Sequence, residues 1–475
     1  MAEGSARATL ARVGRLREFW FGKADIAPVA LFRILFGLQL CNWFWQLFPN
    51  LTAFFTDEGI LPRHAQALSD ADRLSLLNVS GDWWLVAVIW GISCVAALAL
   101  TLGWHTRAMS LLAFALVSTF SWRDPLILDG SDLVFRLVPL WLAFTAAGDR
   151  WSIDALRRHS ATVVRGWALP IRIIELQIAW IYLATGLEKL GGIDWINGTA
   201  AYYALQLEHT FARPWAHAFA VDPILSHLIS WYTIGVELSF LPLAMLPSRS
   251  TRSVAALSAA AMHIGILLLM NVGNFPLVML ASCVLFVPPD WIERVVPGSA
   301  SLATDPPRPP PRVAAALLIV AAFFAFATAV PSMLEPIRPS GDLASALRSL
   351  SLDQRWDMFS PNAARSEGWL IAPGMLADGT RLDLLSDRGP DDRNERYSDP
   401  LYSRWTKVHE RIASGYYAGY RSEYARHFCR ARNAHLEPGQ SPLVSLDLIW
   451  VERLIQAPEE GSPLISESKL WSQQC

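Results

Sequence analysis

Charge is scarce in this sequence, and lysine scarcer still. Charged residues make up 17% of the 475, the formal net charge is −2, and only 4 of the 40 basic residues are lysine. A chain so close to neutral carries no electrostatic footprint for nucleic acid, and no nucleic-acid partner is expected. Cysteine is also sparse: the 5 residues form no CxxC pair and no metal-ligand spacing, so no metal site is predicted. No internal repeat is evident, which disfavours an inverted-repeat transporter.

What the chain has in excess is apolar surface. Hydrophobic residues reach 53%, with 21 Trp, 22 Phe and a mean hydropathy of +0.28. A soluble core of this size needs less, and the surplus has to face lipid. Apolar runs lie at about 27–48, 83–104, 107–122, 132–147, 172–190, 224–246, 253–270, 274–288 and 313–334. The first is too long for a signal-peptide core and is not followed by a small-residue cleavage site, so it reads as an uncleaved helix. The runs at 107, 132 and 274 are short and require tilt or a tight helical hairpin. The predicted fold class is an all-α polytopic membrane helix bundle of about nine transmembrane helices, residues 1–335, with a C-terminal α+β soluble domain, residues 336–475.

Loop charges orient it. Arginine-bearing segments (Arg7 to Lys23, Arg107, Arg150 to Arg165, Arg249 and Arg252, the 289–312 loop) alternate with acidic ones (Asp57 to Asp82, Asp124 to Asp132, Asp194 to Asp222). Positive charge inside puts the N-terminus in the cytoplasm and the C-terminal domain on the periplasmic, extracytoplasmic side. Residues 301–312, with five prolines, read as a stiff cytoplasmic link. In the tail, Trp369 to Leu385 alternates around Asp378-Gly379 and predicts a hairpin, Ser414 to Asn433 a helix, and Val444 to Leu454 a strand. Cys41, Cys94 and Cys283 fall in predicted membrane helices as small apolar residues. Cys429 and Cys475 are the two in the outer domain, and an oxidising compartment permits a disulfide between them.

Ionisable residues at membrane depth cost roughly 2.5 to 3.5 kcal/mol each on insertion scales and must be paired or used. Arg33 and Glu237 come out at similar depths, roughly 9 and 13 Å from the cytoplasmic side at helical rise, and are expected to pair. Asp132 and Arg136 stand at i, i+4 and are expected to satisfy each other. His263 falls within the seventh run, either as a neutral hydrogen-bonded ring or as a proton-handling group. On the fifth helix Glu175, Tyr182 and Lys189 are spaced by seven, with Gln177 and Thr185 near the same stripe, so one face is polar and has to look inward. Lys189 lies at the outer end of that stripe. It is either a snorkelling anchor or a base, and arginine, the anchor this chain otherwise uses, cannot serve as the latter.

These residues resemble a known family. The stretch from Gln177 through Tyr182, Thr185 and Lys189, followed by Asp194-Trp195 and Asn197-Gly198-Thr199-Ala200, resembles a segment of vitamin K-dependent γ-glutamyl carboxylase and its bacterial relatives, the horizontally transferred transmembrane (HTTM) domain proteins. Arg33 to Gly37, Asp57 to Gly59, Trp151 to Asp154, Glu237, His263 and Gly273 to Ser282 agree in order, so the resemblance covers about residues 19 to 295. Gln354 to Pro361, then Gly368-Trp369, is similar to a signature that follows the membrane region in many bacterial members. The resemblance implies a site in the bacterial inner membrane at which Lys189 deprotonates a reduced quinone of the vitamin K or menaquinol type. Reaction with O2 would then yield a strong base able to abstract a glutamate γ-proton. It further implies His263 as a catalytic candidate, quinone contacts from Tyr182, Thr185, Trp195 and Phe275, and an exported peptide as substrate. Ser131 stands where the carboxylase carries an active-site histidine, and a hydroxyl cannot replace an imidazole in proton transfer. The alternative is a non-catalytic membrane factor for maturation or export of a client protein.

Overall fold

The computed structural model describes residues 13–66, 73–157, 165–296, 312–386, 389, 403–434, 436–457, 461 and 463–475. The proline-rich link therefore lies almost wholly outside the described residues. All nine apolar runs become helical: α1 Ala27–Leu47, α2 Trp83–Leu102, α3 Thr106–Arg123, α4 Gly130–Leu142, α5 Ala168–Lys189, α6 Pro223–Ala244, α7 Arg249–Leu269, α8 Phe275–Ser282 and α9 Arg312–Thr328. Their starts follow capping chemistry. Asp25 accepts from Ala27 N ahead of α1, Asp222 from Leu225 N on α6, and Ser248 from Thr251 N on α7. Asp129 and Asp132 form a reciprocal capping box on α4, and Gly103 closes α2 at φ +68°, a conformation a side chain would strain.

Nine crossings are not established. Among the described residues five helices are long and apolar enough to span: α1 with its continuation to Phe55, α2, α5, α6 and α7. A sixth span is possible in length if Phe275–Phe286 and Pro289–Val295, bent by 113°, count as one. Helix α4 has 13 residues, a rise of roughly 20 Å against a hydrocarbon core of roughly 30 Å.

The tail forms helices α10 Gly341–Ser349, α11 Arg404–Ala413 and α12 Arg421–Ala434, with strands β1 Ser366–Ile371, β2 Pro373–Leu376, β3 Arg381–Asp383, β4 Leu443–Leu454 and β5 Leu464–Gln474. The expected hairpin is β2–β3, turning at Gly379 with φ +86°. Strands β1 and β2 follow one another along one edge of β4, with Ile371 opposite Ile449 and Gly374 opposite Leu446. Strand β5 pairs along the other edge, and Cys475 beyond it is bonded to Cys429 on α12. Helices α10 and α11 and strand β5 were not foreseen from the sequence.

Apolar packing runs continuously from bundle to tail. Phe36, Trp43, Phe44, Phe120 and Phe135 of the bundle share one buried cluster with Val408, Ile412, Tyr424 and Leu448 of the tail. Arg404 on α11 is buried against the bundle, donating to both oxygens of Asp132 at 2.9 and 3.0 Å and to the Ile127 carbonyl at 2.9 Å. Tyr202 bonds the Gln456 carbonyl and Arg453 the Gln206 carbonyl, so the tail is seated on the segment between α5 and α6 by polar contacts as well.

Candidate functional site

Helix α5 packs most extensively on α6, and this neighbour relation decides the site. Tyr182, Thr185 and Lys189 all project into the interior and are buried, as the seven-residue spacing requires. Lys189 does not snorkel. It is 3% exposed, and its Nζ lies 2.9 Å from Glu237 Oε1 on α6 and 5.0 Å above the Trp195 ring. Tyr182 Oη is 2.8 Å from His263 Nε2 on α7, and Phe275 on α8 approaches the same imidazole with ring centroids 6.0 Å apart. Thr185 donates back to the Ile181 and Tyr182 carbonyls, which spends its hydroxyl within the helix.

Two expected pairings are corrected. Arg33 does not meet Glu237: its guanidinium donates to the carbonyls of Ala147 at 2.9 Å and Trp151 at 2.5 Å, in the turns that follow α4. Matched depth fixes one coordinate along a helix and says nothing of which helix stands beside which. Asp132 and Arg136 do not satisfy each other either. Asp132 takes Arg404 and the Trp43 indole N–H, while Arg136 faces Asp353 at 3.4 Å and stacks over Trp122 at 4.2 Å. Both better partners come from the tail, far away in sequence. The carboxylates flanking Lys189 in the chain are also engaged elsewhere, Glu188 with the Ser332 backbone and hydroxyl and Asp194 with Arg365.

Lys189, Glu237, Tyr182, Thr185, His263, Trp195 and Phe275 all line one cavity of 1030 Å³. Apolar walls come from Ile181, Met262, Ile266 and Met279, and the tail closes it with Trp356, Met358 and Phe359. The segment Gln354 to Pro361 thus has a structural reason to be distinctive. Gln354 bonds Gln177 at 2.7 Å and accepts from Trp356 Nε1, while the Phe359 carbonyl accepts from Trp195 Nε1 at 2.7 Å. Its motif was visible in the sequence, but its place over the cavity was not. Asp129 and Gly130 reach the cavity; the neighbouring Ser131 is fully buried with its hydroxyl on Asp129.

Among the buried side-chain atoms of cavity-lining residues that have no hydrogen-bond partner among the described residues are Glu237 Oε2 and His263 Nδ1. Both atoms are fully buried, so a ligand in the cavity reaches either of them only if neighbouring side chains move. After Lys189 the chain turns at Gly198, φ +78°, with Thr199 bonded to the Asp194 carbonyl, so Asn197-Gly198-Thr199 serves as a turn.

A charge couple at the wall of a large, mostly apolar interior, roofed by a folded tail, defines a multi-pass membrane protein with a ligand-sized internal chamber. The chain belongs to the HTTM domain family, whose model matches residues 21–291, a stretch that includes Lys189, Glu237 and His263. It is 25% identical over 197 residues to sporulation-delaying protein SdpB of Bacillus subtilis (strain 168), covering 40% of this chain and 60% of that protein. The match therefore spans less than two thirds of that relative. It is also 22% identical over 253 residues to the uncharacterized protein YitO of the same strain, 50% of this chain and 81% of YitO. No solved structure matches.

Proposed function

We propose that the protein is a carboxylase-like membrane enzyme that uses a reduced quinone, with Lys189 as the base and the tail domain on the extracytoplasmic face. The observation that carries this reading is the Lys189–Glu237 couple, 2.9 Å apart and opening on a cavity of 1030 Å³. The residues suit such a ligand: aromatic Trp195, Tyr182 and Phe275 offer flat apolar contact beside the charge couple. When bound, the reduced quinone would give O2 four electrons in all, two of them from the double bond that becomes the epoxide, with both phenolic hydrogens leaving as water, and it begins by yielding a phenolic proton. Lys189 accepts that proton when the proton shared within the couple resides on Glu237, and Glu237 holds the amine in place. Tyr182 fixes the His263 ring through Nε2. Because Ser131 stands in the place of the carboxylase histidine, the reading stops at quinol oxidation to an epoxide and water, and modification of an exported peptide is a further step it allows.

The test is purified protein in liposomes with reduced menaquinone and O2, followed by mass spectrometry. Epoxide should form with the wild type and fail with Lys189→Arg, which keeps the ion pair but cannot yield its proton. Epoxide from neither protein would sink the quinol reading. A second reading rests on the similarity to SdpB: a non-catalytic membrane factor for the maturation or export of a client protein, in which the tail holds the client. Under it Lys189→Arg behaves as wild type in every client assay.

A further inference from the structure

The cavity is walled on one side by α6 and α7, and these are the least enclosed of the long spans. Only 28% and 33% of their apolar stretches are buried in the protein, against 72% for α5. Their outer faces therefore meet lipid. Yet the residues that line the cavity include Tyr232, which is 42% exposed, and Ala261, also exposed, together with Thr233 and Gly265. A lining residue that is also exposed on a lipid-facing helix marks a place where the chamber reaches the surface. Thr233 stands four residues before Glu237 on α6, and Ala261 and Gly265 stand four apart on α7, so each helix offers one strip of small or short side chains to the same gap. A Cβ added at Gly265 would meet nothing within 4 Å, so the space there is open. Tyr232 Oη donates to the Ser258 carbonyl at 2.8 Å across the gap, and at the opposite ends of the two helices Arg252 donates to the Ala244 carbonyl at 2.9 Å.

We infer that the gap between α6 and α7 at Tyr232, Ala261 and Gly265 is a lateral portal through which an apolar, bilayer-dissolved ligand enters the chamber from the membrane. The inference deepens the quinol reading by giving its ligand a route and a class: a molecule that partitions into lipid and reaches Lys189 without crossing the aqueous face. The chamber's apolar lining and its position one helical turn from Glu237 fit a ligand whose polar end meets the charge couple while its apolar part trails toward the gap.

The experiment uses a small apolar diazirine dissolved in the liposome bilayer, photolysed to a carbene, with labelled positions mapped by mass spectrometry. In the wild type, Phe275 and Met358, which line the chamber from outside α6 and α7, should be labelled. In Ala261→Phe/Gly265→Leu their labelling should fall several-fold, while labelling of Leu268, exposed on α7, stays unchanged and reports a folded protein. Should the double variant fail to fold, Gly265→Cys alkylated after reconstitution with a bulky maleimide plugs the same opening, with wild type treated alike as the control. Chamber labelling that persists behind either plug, or that a water-soluble carbene scavenger abolishes in the wild type, would overturn the portal. The readout needs no turnover, so absence of epoxide with plug-sensitive labelling removes the quinol and keeps the portal, and the reverse result removes the portal alone.

Discussion

The most direct test of the site is a double-mutant cycle on Lys189 and Glu237. Their side chains are 4% and 9% exposed and 2.9 Å apart. At an effective dielectric of about 20, that separation corresponds to a gross attraction of about 6 kcal/mol. Desolvation of two charges offsets most of it, so the couple as a whole adds little over an apolar pair, whereas removing one partner strands the other. Lys189→Met should therefore cost about 3 to 5 kcal/mol, as should Glu237→Leu. The double variant should recover most of that loss, short of about 1 kcal/mol for the lysine's contact with Trp195. Reversible unfolding in mixed detergent micelles measures all four proteins. Losses that add in the double variant would show that the two charges do not act as a pair, and would remove the geometric basis of the proposed base.

Arg404→Met leaves Asp132 buried without its bidentate partner; it should cost about 3 to 5 kcal/mol and render the tail susceptible to limited proteolysis, and a tail as resistant as wild type would show that apolar packing alone seats it. Burial outweighs the Arg453 hydrogen bond at Glu367 and pushes its carboxyl up from 4.5 to about 7. A raised folded value means that the stability it contributes is fully present below about pH 4.5 and is lost as pH rises through about 7, by about 3 kcal/mol in all. The melting temperature should fall across that window in the wild type and much less in Glu367→Gln; equal slopes would refute the assignment. A reporter active only outside the cytoplasm should be active when fused after Cys475 and inactive when fused within 150–157, and the opposite pattern would overturn the charge-based orientation. Without reductant, Cys429 and Cys475 should resist alkylation after unfolding while Cys41, Cys94 and Cys283 react; five reactive thiols would exclude the disulfide.

Periodicity and composition carried a good deal by themselves. Nine apolar runs marked nine helical segments because lipid burial demands continuous apolar sequence, and the spacing of Glu175, Tyr182 and Lys189 placed one polar face inward because helix geometry is local. The hairpin at Gly379 and the strand ending at Leu454 were legible for the same reason: turn chemistry and alternation act over a few residues. Partners were not legible. Arg33 found backbone carbonyls rather than Glu237, and Glu237 took Lys189, because depth along a helix leaves its neighbours undetermined. Asp132 and Arg136 were claimed by Arg404 and Asp353, 272 and 217 residues away in the chain. Length told against a crossing where composition did not: α4 has 13 residues, nearly all of them buried in the protein. The sequence named the chemical groups; only the packing of α5 on α6, and of the tail over both, set them around one chamber, since contacts distant along the chain exist only once the fold has closed.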